Sequence, residues 1–190
     1  MSLFEFISGM ISVLIALAIA QLLVSLGRLA QHRSQVRAYL PHTLWNIAIF
    51  LLAFIHWWSL WDFRDLAWNS AMFLYSLMGP LSLFFAVTVL SPVPAGNDTT
   101  VDLKRHFQEV RVMFLWAMIV TLGFMSLDGP MFGTEDWFNV LRLIQVLVIA
   151  ATGVALVSKR DGVQLASSGF VVLTFFYAAV VRFLPGAITG

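Results

Sequence analysis

The sequence predicts an all-α integral membrane protein with six transmembrane helices, arranged as three hairpins with short loops. Hydrophobic residues make up 60% of the 190-residue chain and charged residues 11%, whereas a soluble domain has about 45–50% and about 25%. The apolar residues fall into runs of about 20 residues, which is the length of a helix that crosses a bilayer. These runs show no strict alternation, which excludes a membrane β-barrel.

The apolar runs follow one another closely, except before the fourth. We expect spans at 7–27, 42–61, 68–90, 110–128, 137–157 and 163–184. The first run has no basic residues ahead of it and continues past Ala18–Ala20, so it is a retained helix and not a cleaved signal peptide. Pro41 precedes the second span, where its missing N–H is tolerated.

Proline and glycine mark breaks in the two middle spans. Gly79 and Pro80 lie at the centre of the third span. Because Pro80 removes a backbone hydrogen bond, we expect a kinked third helix. At the end of the fourth span, Asp128–Pro130 predicts a turn.

The longest loop precedes the fourth span and changes character along its length. Its first half contains Pro92 and Pro94, whereas Leu103, Phe107 and Val110 in the second half recur at helical spacing. We therefore expect residues 100–109 to form a short amphipathic helix at the membrane surface, running into the fourth span.

Basic residues are concentrated in alternate loops. The loops after the second and fourth spans hold only Arg64, whereas eight of the eleven lysines and arginines follow the first, third and fifth spans. The positive-inside rule then predicts basic loops in the cytoplasm and both termini on the periplasmic or extracellular side of a cell (inner) membrane. The eight residues are Arg28, Arg33, Arg37, Lys104, Arg105, Arg111, Lys159 and Arg160.

Polar residues within the spans are the candidate ligand-binding residues, because they are costly in the bilayer core. Asn139, Arg142 and Gln145 are spaced i, i+3, i+6 in the fifth span and predict one polar helix face. His56 and Arg182 are expected near the same outer level of the membrane.

Two interpretations of Arg142 stay open. One is structural, a buried ion pair with Glu5 or Asp128, both of which are expected at the same depth. The other is functional, an anion or lipid-headgroup site that Arg142 shares with Arg182 and His56.

A stripe of small residues runs along the first span. Ser8, Ser12, Ala16 and Ala20 recur at every fourth position and predict a face that another helix approaches closely, within the chain or from a second copy. Besides the lipid bilayer, the expected partner is therefore a second copy in a homo-oligomer, or another membrane protein.

Several chemistries are missing from the sequence. The chain has no cysteine, which excludes disulfides and thiolate metal sites. It also lacks the common serine and zinc hydrolase motifs. We expect no metal, no cofactor and, at a net charge of +1, no nucleic-acid partner.

Three classes of function remain. The first is an oligomeric pore or carrier-like protein for a small solute or ion. The second is a non-catalytic membrane sensor or accessory subunit. The third, the only one that includes an enzyme, is a protein that uses Arg142, Arg182 and His56 on a lipid headgroup.

Overall fold

The fold is an all-α bundle, given by a computed structural model that describes residues 3–92 and 100–183 and the side chains of these ranges except 182 and 183. Within these ranges, six helices are long and apolar enough to cross a membrane, which confirms the predicted class of multi-pass membrane protein. The helices are α1 Leu3–Gln31, α2 Leu40–Ser59, α3 Ser70–Leu90, α4 Leu103–Phe132, α5 Val140–Val157 and α6 Asp161–Phe183.

The helices pack in a closed circular order that differs from their order in the chain. Going round the bundle, the order is α1, α3, α4, α5, α6 and α2. The contact between α3 and α4 is the most extensive, followed by α2 with α6 and α1 with α3, whereas α1 and α2 touch much less. The chain thus places α5 and α6 beside α4 and α2, around the candidate site described below.

The connections after α1, α3 and α5 meet at one end of the bundle, here called the basic end (residues 32–39, 100–104 and 158–161). A two-residue strand β1, Val36–Arg37, pairs in parallel with β2, Val101–Asp102. Asp161 accepts hydrogen bonds from the Tyr39 hydroxyl at 3.0 Å and from Lys104 Nζ at 2.5 Å. The strand pair was not predicted, because two residues are too few to show a pattern.

Aromatic side chains fill the core of the bundle from the basic end inward. The rings of Tyr39 and Phe107 lie 5.7 Å apart, those of Phe107 and Phe114 6.2 Å, and those of Phe114 and Trp45 5.4 Å. Trp45 is fully buried. Trp116 of α4, in contrast, is 55% exposed on the outside of the bundle.

The fourth helix starts earlier and ends later than predicted. Asp102 caps its N-terminus, accepting hydrogen bonds from the backbone N–H groups of Lys104 and Arg105, as Asp does at this position. Residues 103–109 are therefore its first turns and are continuous with the predicted fourth span, with Leu103 and Phe107 buried in the bundle. Whether this segment lies at a membrane surface stays a prediction.

The turn predicted at Asp128–Pro130 is wrong, because the helix continues to Phe132. A residue before proline is disfavoured in the helical conformation when its Cβ meets the proline ring. Gly129 has no Cβ, so the helix passes through Pro130. It ends at Gly133, which has a left-handed φ of 73°.

In the third helix, Gly79 and Pro80 are both buried and lie within one continuous helix. A Cβ on Gly79 would come within 3.1 Å of the Met125 side chain, so the glycine permits the close approach of α4. Ser82 and Thr121 share a hydrogen bond of 2.8 Å across the same contact. The kink itself stays a prediction.

The small-residue stripe of α1 is not the face that this helix buries in the bundle. Ser8 and Ser12 are half-buried, Ala16 and Ala20 are exposed, and Ser12 Oγ accepts a hydrogen bond from the Trp57 indole at 3.1 Å. The neighbouring stripe is buried instead, and consists of Ile7, Ile11, Ile15, Ala18, Leu22 and Ser25. Contact between copies through the small residues stays a prediction.

Candidate functional site

A cavity of about 140 Å³ lies at the other end of the bundle, here called the acidic end (residues 60–69 and 128–139). Three of the predicted site residues, His56, Arg142 and Gln145, line it together. Its apolar wall comes from α2, α4, α5 and α6 and includes Leu52, Ile55, Leu122, Ile144, Val148 and Phe175. Its remaining polar lining consists of Ser59, Asp62, Ser126, Asp128, Glu135 and Thr174.

Arg142 is the centre of the polar cluster on the cavity wall. Its Nη2 forms an ion pair with the Glu135 carboxylate, and its Nη1 donates to Gln145 Oε1 at 2.7 Å. The Arg142 and Glu135 side chains are 13% and 30% exposed. The expected ion pair therefore exists, but its partner is Glu135, and not Glu5 or Asp128. The positive charge of Arg142 is matched within the chain.

The turn after α4 brings Glu135 to Arg142. Gly133 reverses the chain in its left-handed conformation, and the N–H groups of Thr134 and Glu135 then donate to the Gly129 carbonyl at 2.9 and 3.3 Å. A Cβ on Gly129 would lie 2.8 Å from Arg142 Nη2 and 2.8 Å from Glu135 Cδ. The ion pair thus occupies the space that a larger residue at 129 would fill.

Asn139 is close to Arg142 but has a different role from the one predicted. It precedes α5 as its N-cap, and its Oδ1 accepts a hydrogen bond from the Arg142 backbone N–H at 2.8 Å. Asparagine is a preferred N-cap because its short side chain reaches the free N–H groups of the first turn. Asn139 therefore does not lie on a helical face with Arg142 and Gln145, and it is not part of the cavity lining.

Asp128 is the most unusual group of the cavity. It is 6% exposed, and its carboxylate makes no hydrogen bond and no ion pair with another side chain in the part of the chain that the structure describes. Arg142 attracts its negative charge and Glu135 repels it. A carboxylate removed from water is costly unless it is paired or protonated, so this position favours either a cation beside the carboxylate or a proton on it.

His56 faces the same cavity from α2. It is 5% exposed, and its Nε2 has no hydrogen-bond partner among the residues of the described ranges. The nitrogen Nε of Arg142 is likewise buried and without a partner there. Unsatisfied buried polar atoms are uncommon in folded proteins, and two of them on one cavity wall are typical of a site that a polar ligand completes.

The sequence pattern identified part of this site. His56, Arg142 and Gln145 come together as predicted, whereas the side chain of Arg182 lies outside the described residues. Glu135 was not among the predicted site residues, and Asp128 was considered only as part of a turn and as one of two alternative ion-pair partners of Arg142. The sequence signal that was available is Gly129 directly before Pro130 and Gly133 three residues after it, because glycines allow the chain to reverse its direction within a few residues.

No family model, curated protein or solved structure matches this chain. Within the described ranges, no group of three or more His, Asp or Glu side chains is close enough to hold a metal ion.

Proposed function

We propose that this protein is a carrier-like membrane protein for a small organic cation with an apolar body. The observation that carries the proposal is Asp128, a buried carboxylate without a hydrogen-bond or ion-pair partner among the described residues, beside an apolar wall in a cavity of about 140 Å³. A cavity of about 150 Å³ lined by aliphatic and aromatic side chains takes up a benzene ring. A ring against Leu52 and Phe175, with its cationic group on Asp128, matches this lining.

The charge balance supports a cation over an anion. Glu135 matches Arg142, so an ionised Asp128 adds a negative charge that no basic side chain of the described residues pairs. This balance argues against an anionic headgroup as the ligand of Arg142, Arg182 and His56, which was the other interpretation of the sequence. Because this cavity lies within one chain, a carrier function would not require the protein to form an oligomer.

We further propose that both termini lie outside a cell inner membrane, so that the cavity is near the outer surface. The clustering of the basic residues in the connections after α1, α3 and α5, which meet at one end, supports this orientation. The same proposal includes three helical hairpins, a kink at Pro80 and a homo-oligomer formed through the small residues of α1.

The binding test uses three isosteres of one size, benzamidinium, benzamide and benzoate, with the purified protein in lipid nanodiscs. We expect benzamidinium alone to raise the unfolding temperature. Asp128→Asn should weaken its binding by about 10- to 100-fold, because one charge-assisted hydrogen bond contributes about 1.5–3 kcal/mol. The matched control is Asp136→Asn, which removes an exposed charge at the same end and should leave binding unchanged.

The transport test uses proteoliposomes and radiolabelled benzamidinium. Uptake above that of protein-free liposomes, lost in Asp128→Asn and kept in Asp136→Asn, is the expected result. Binding without uptake would overturn the carrier function in favour of a sensor or accessory subunit. Equal binding of all three isosteres would overturn the cation site.

A further inference from the structure

A second cavity of about 140 Å³ lies at the basic end, and it shares no lining residue with the cavity at the acidic end. Each of three chain segments contributes to it: the residue before α2, the first turns of α4, and the connection from α5 into α6. It is lined by Tyr39, Phe107, Gln108, Arg111, Lys159 and Gln164. A water molecule takes about 30 Å³ in the liquid, so one tetrahedral oxyanion fits in this volume.

Arg111 is the unusual group of this cavity, because its side chain is charged and only 5% exposed. Its Nη1 donates to three backbone carbonyls at the end of α5, those of Ala155 at 2.7 Å, Leu156 at 2.9 Å and Ser158 at 2.7 Å. No carboxylate lies within ion-pair distance of it in the described ranges. Buried charges in proteins are as a rule paired.

Capping the end of α5 favours a cation, but it uses only one nitrogen of the Arg111 guanidinium. The neutral side chain of Gln164 donates through Nε2 to two of the same carbonyls, those of Ala155 and Ser158, at 2.6 Å each. Only the Leu156 carbonyl depends on Arg111 alone. Nη1 makes all the hydrogen bonds of the guanidinium, so Nε and Nη2 have no acceptor among the described residues.

The remaining lining indicates what would supply that acceptor. Lys159 brings a second positive charge and makes no ion pair in the described ranges. The Asp161 carboxylate, which accepts from the lining Tyr39, forms its ion pair with Lys104. Gln164 Oε1 is buried with no hydrogen-bond partner there, so the cavity also offers one acceptor for an O–H or N–H group.

We propose that this cavity binds a phosphate group, either free or as the phosphomonoester headgroup of a lipid. Arg111 through Nε and Nη2 and Lys159 through Nζ match its negative oxygens, since guanidinium and ammonium groups form strong charge-assisted bonds with phosphate. A phosphate that keeps one proton donates it to Gln164 Oε1. This site does not depend on the cation cavity at the acidic end.

The test for the free anion compares phosphate and sulfate with chloride at equal ionic strength, using the purified protein in detergent and its unfolding temperature. We expect phosphate to stabilise more than sulfate, which at neutral pH carries no proton for Gln164. Lys159→Gln should raise by about 10-fold the phosphate concentration that is needed to produce the same increase in unfolding temperature. The matched control Arg160→Gln removes an exposed neighbouring charge that does not line the cavity, and should change this concentration less than 2-fold.

The test for the lipid source uses native mass spectrometry of the protein from mixed micelles of phosphatidic acid and phosphatidylcholine. Retention of phosphatidic acid, reduced by Lys159→Gln and not by Arg160→Gln, assigns the site to the headgroup, and stabilisation by phosphate alone assigns it to the free anion. The proposal is overturned when neither probe binds above its reference, or when the two variants lose binding equally.

Discussion

Replacement of Arg142 by methionine tests the ion pair on the wall of the cavity at the acidic end. The change removes a charge-assisted bond to Glu135, worth about 1.5–3 kcal/mol, and a bond to Gln145, worth about 1 kcal/mol. The Arg142 and Glu135 side chains are 13% and 30% exposed, so water screens the ion pair. The contribution of the ion pair to stability is therefore expected near the lower limit of this range. We expect Arg142→Met to lower the free energy of unfolding by about 2–3 kcal/mol.

Because Arg142, Glu135 and Asp128 interact as three charges, single substitutions among them should change the free energy of unfolding by unequal amounts. Without Arg142, the carboxylates of Glu135 and Asp128 repel each other with no cation between them. Without the charge of Glu135, Arg142 still attracts Asp128, and glutamine keeps an acceptor. Glu135→Gln should therefore cost only about 1 kcal/mol, and Asp128→Asn should recover about 1 kcal/mol in the Arg142→Met background.

These free energies are measured by unfolding the protein in mixed micelles with increasing amounts of a denaturing detergent. Tryptophan fluorescence follows the unfolding transition. The matched control is Arg64→Met, which breaks an exposed ion pair with Asp65 and should cost less than about 1 kcal/mol. Equal losses for Arg142→Met and Glu135→Gln, or no recovery by Asp128→Asn, would refute the reasoning.

The remaining predictions concern the turn after α4, the orientation and one tyrosine. Gly129→Ala should lower the unfolding temperature and abolish the coupling between Arg142→Met and Asp128→Asn. Gly133→Ala should cost about 1–2 kcal/mol from its left-handed backbone alone and keep this coupling. A reporter enzyme that works only in the periplasm should be active when fused after Gly190 and inactive when inserted at Asn97; the reverse pattern would invert the orientation. Burial, with the hydrogen bond to Asp161, raises the pKa of Tyr39 from 10.0 to about 12, so its stabilising contribution is complete below pH 10 and lost between pH 10 and 12. The ultraviolet absorbance of the wild type minus that of Tyr39→Phe measures this titration, and ionisation at pH 10 would contradict it.

The fold class could be predicted because bilayer crossing is a matter of length and polarity. Runs of about 20 apolar residues are visible without any knowledge of packing. The closed order of the helices could not be predicted in this way, because nearly every face of such a helix is apolar and lipid accepts it as readily as a neighbouring helix does. The stripe of α1 shows this: the small residues were the visible pattern, and the isoleucine face is the one that is buried.

The site was predictable only where it depends on residues in one helix. Arg142 and Gln145 are three residues apart on α5, and their contact follows from helical spacing. Glu135 reaches Arg142 through a turn whose geometry depends on Gly133, and a left-handed glycine cannot be distinguished from an ordinary loop glycine by spacing. Arg111 was counted only as a basic residue near a loop, because nothing local shows that the end of α5 would cover it.

The circular order of the helices has a consequence for the way the chain is made. α2 packs mainly on α6, the last helix to leave the ribosome, whereas its contact with α1 is small. During synthesis, the face of α2 that packs on α6 has no final partner until about 120 further residues have been translated. A chain that stops before α6 would therefore be left with an open ring, in which one face of α2 has no helix packed on it.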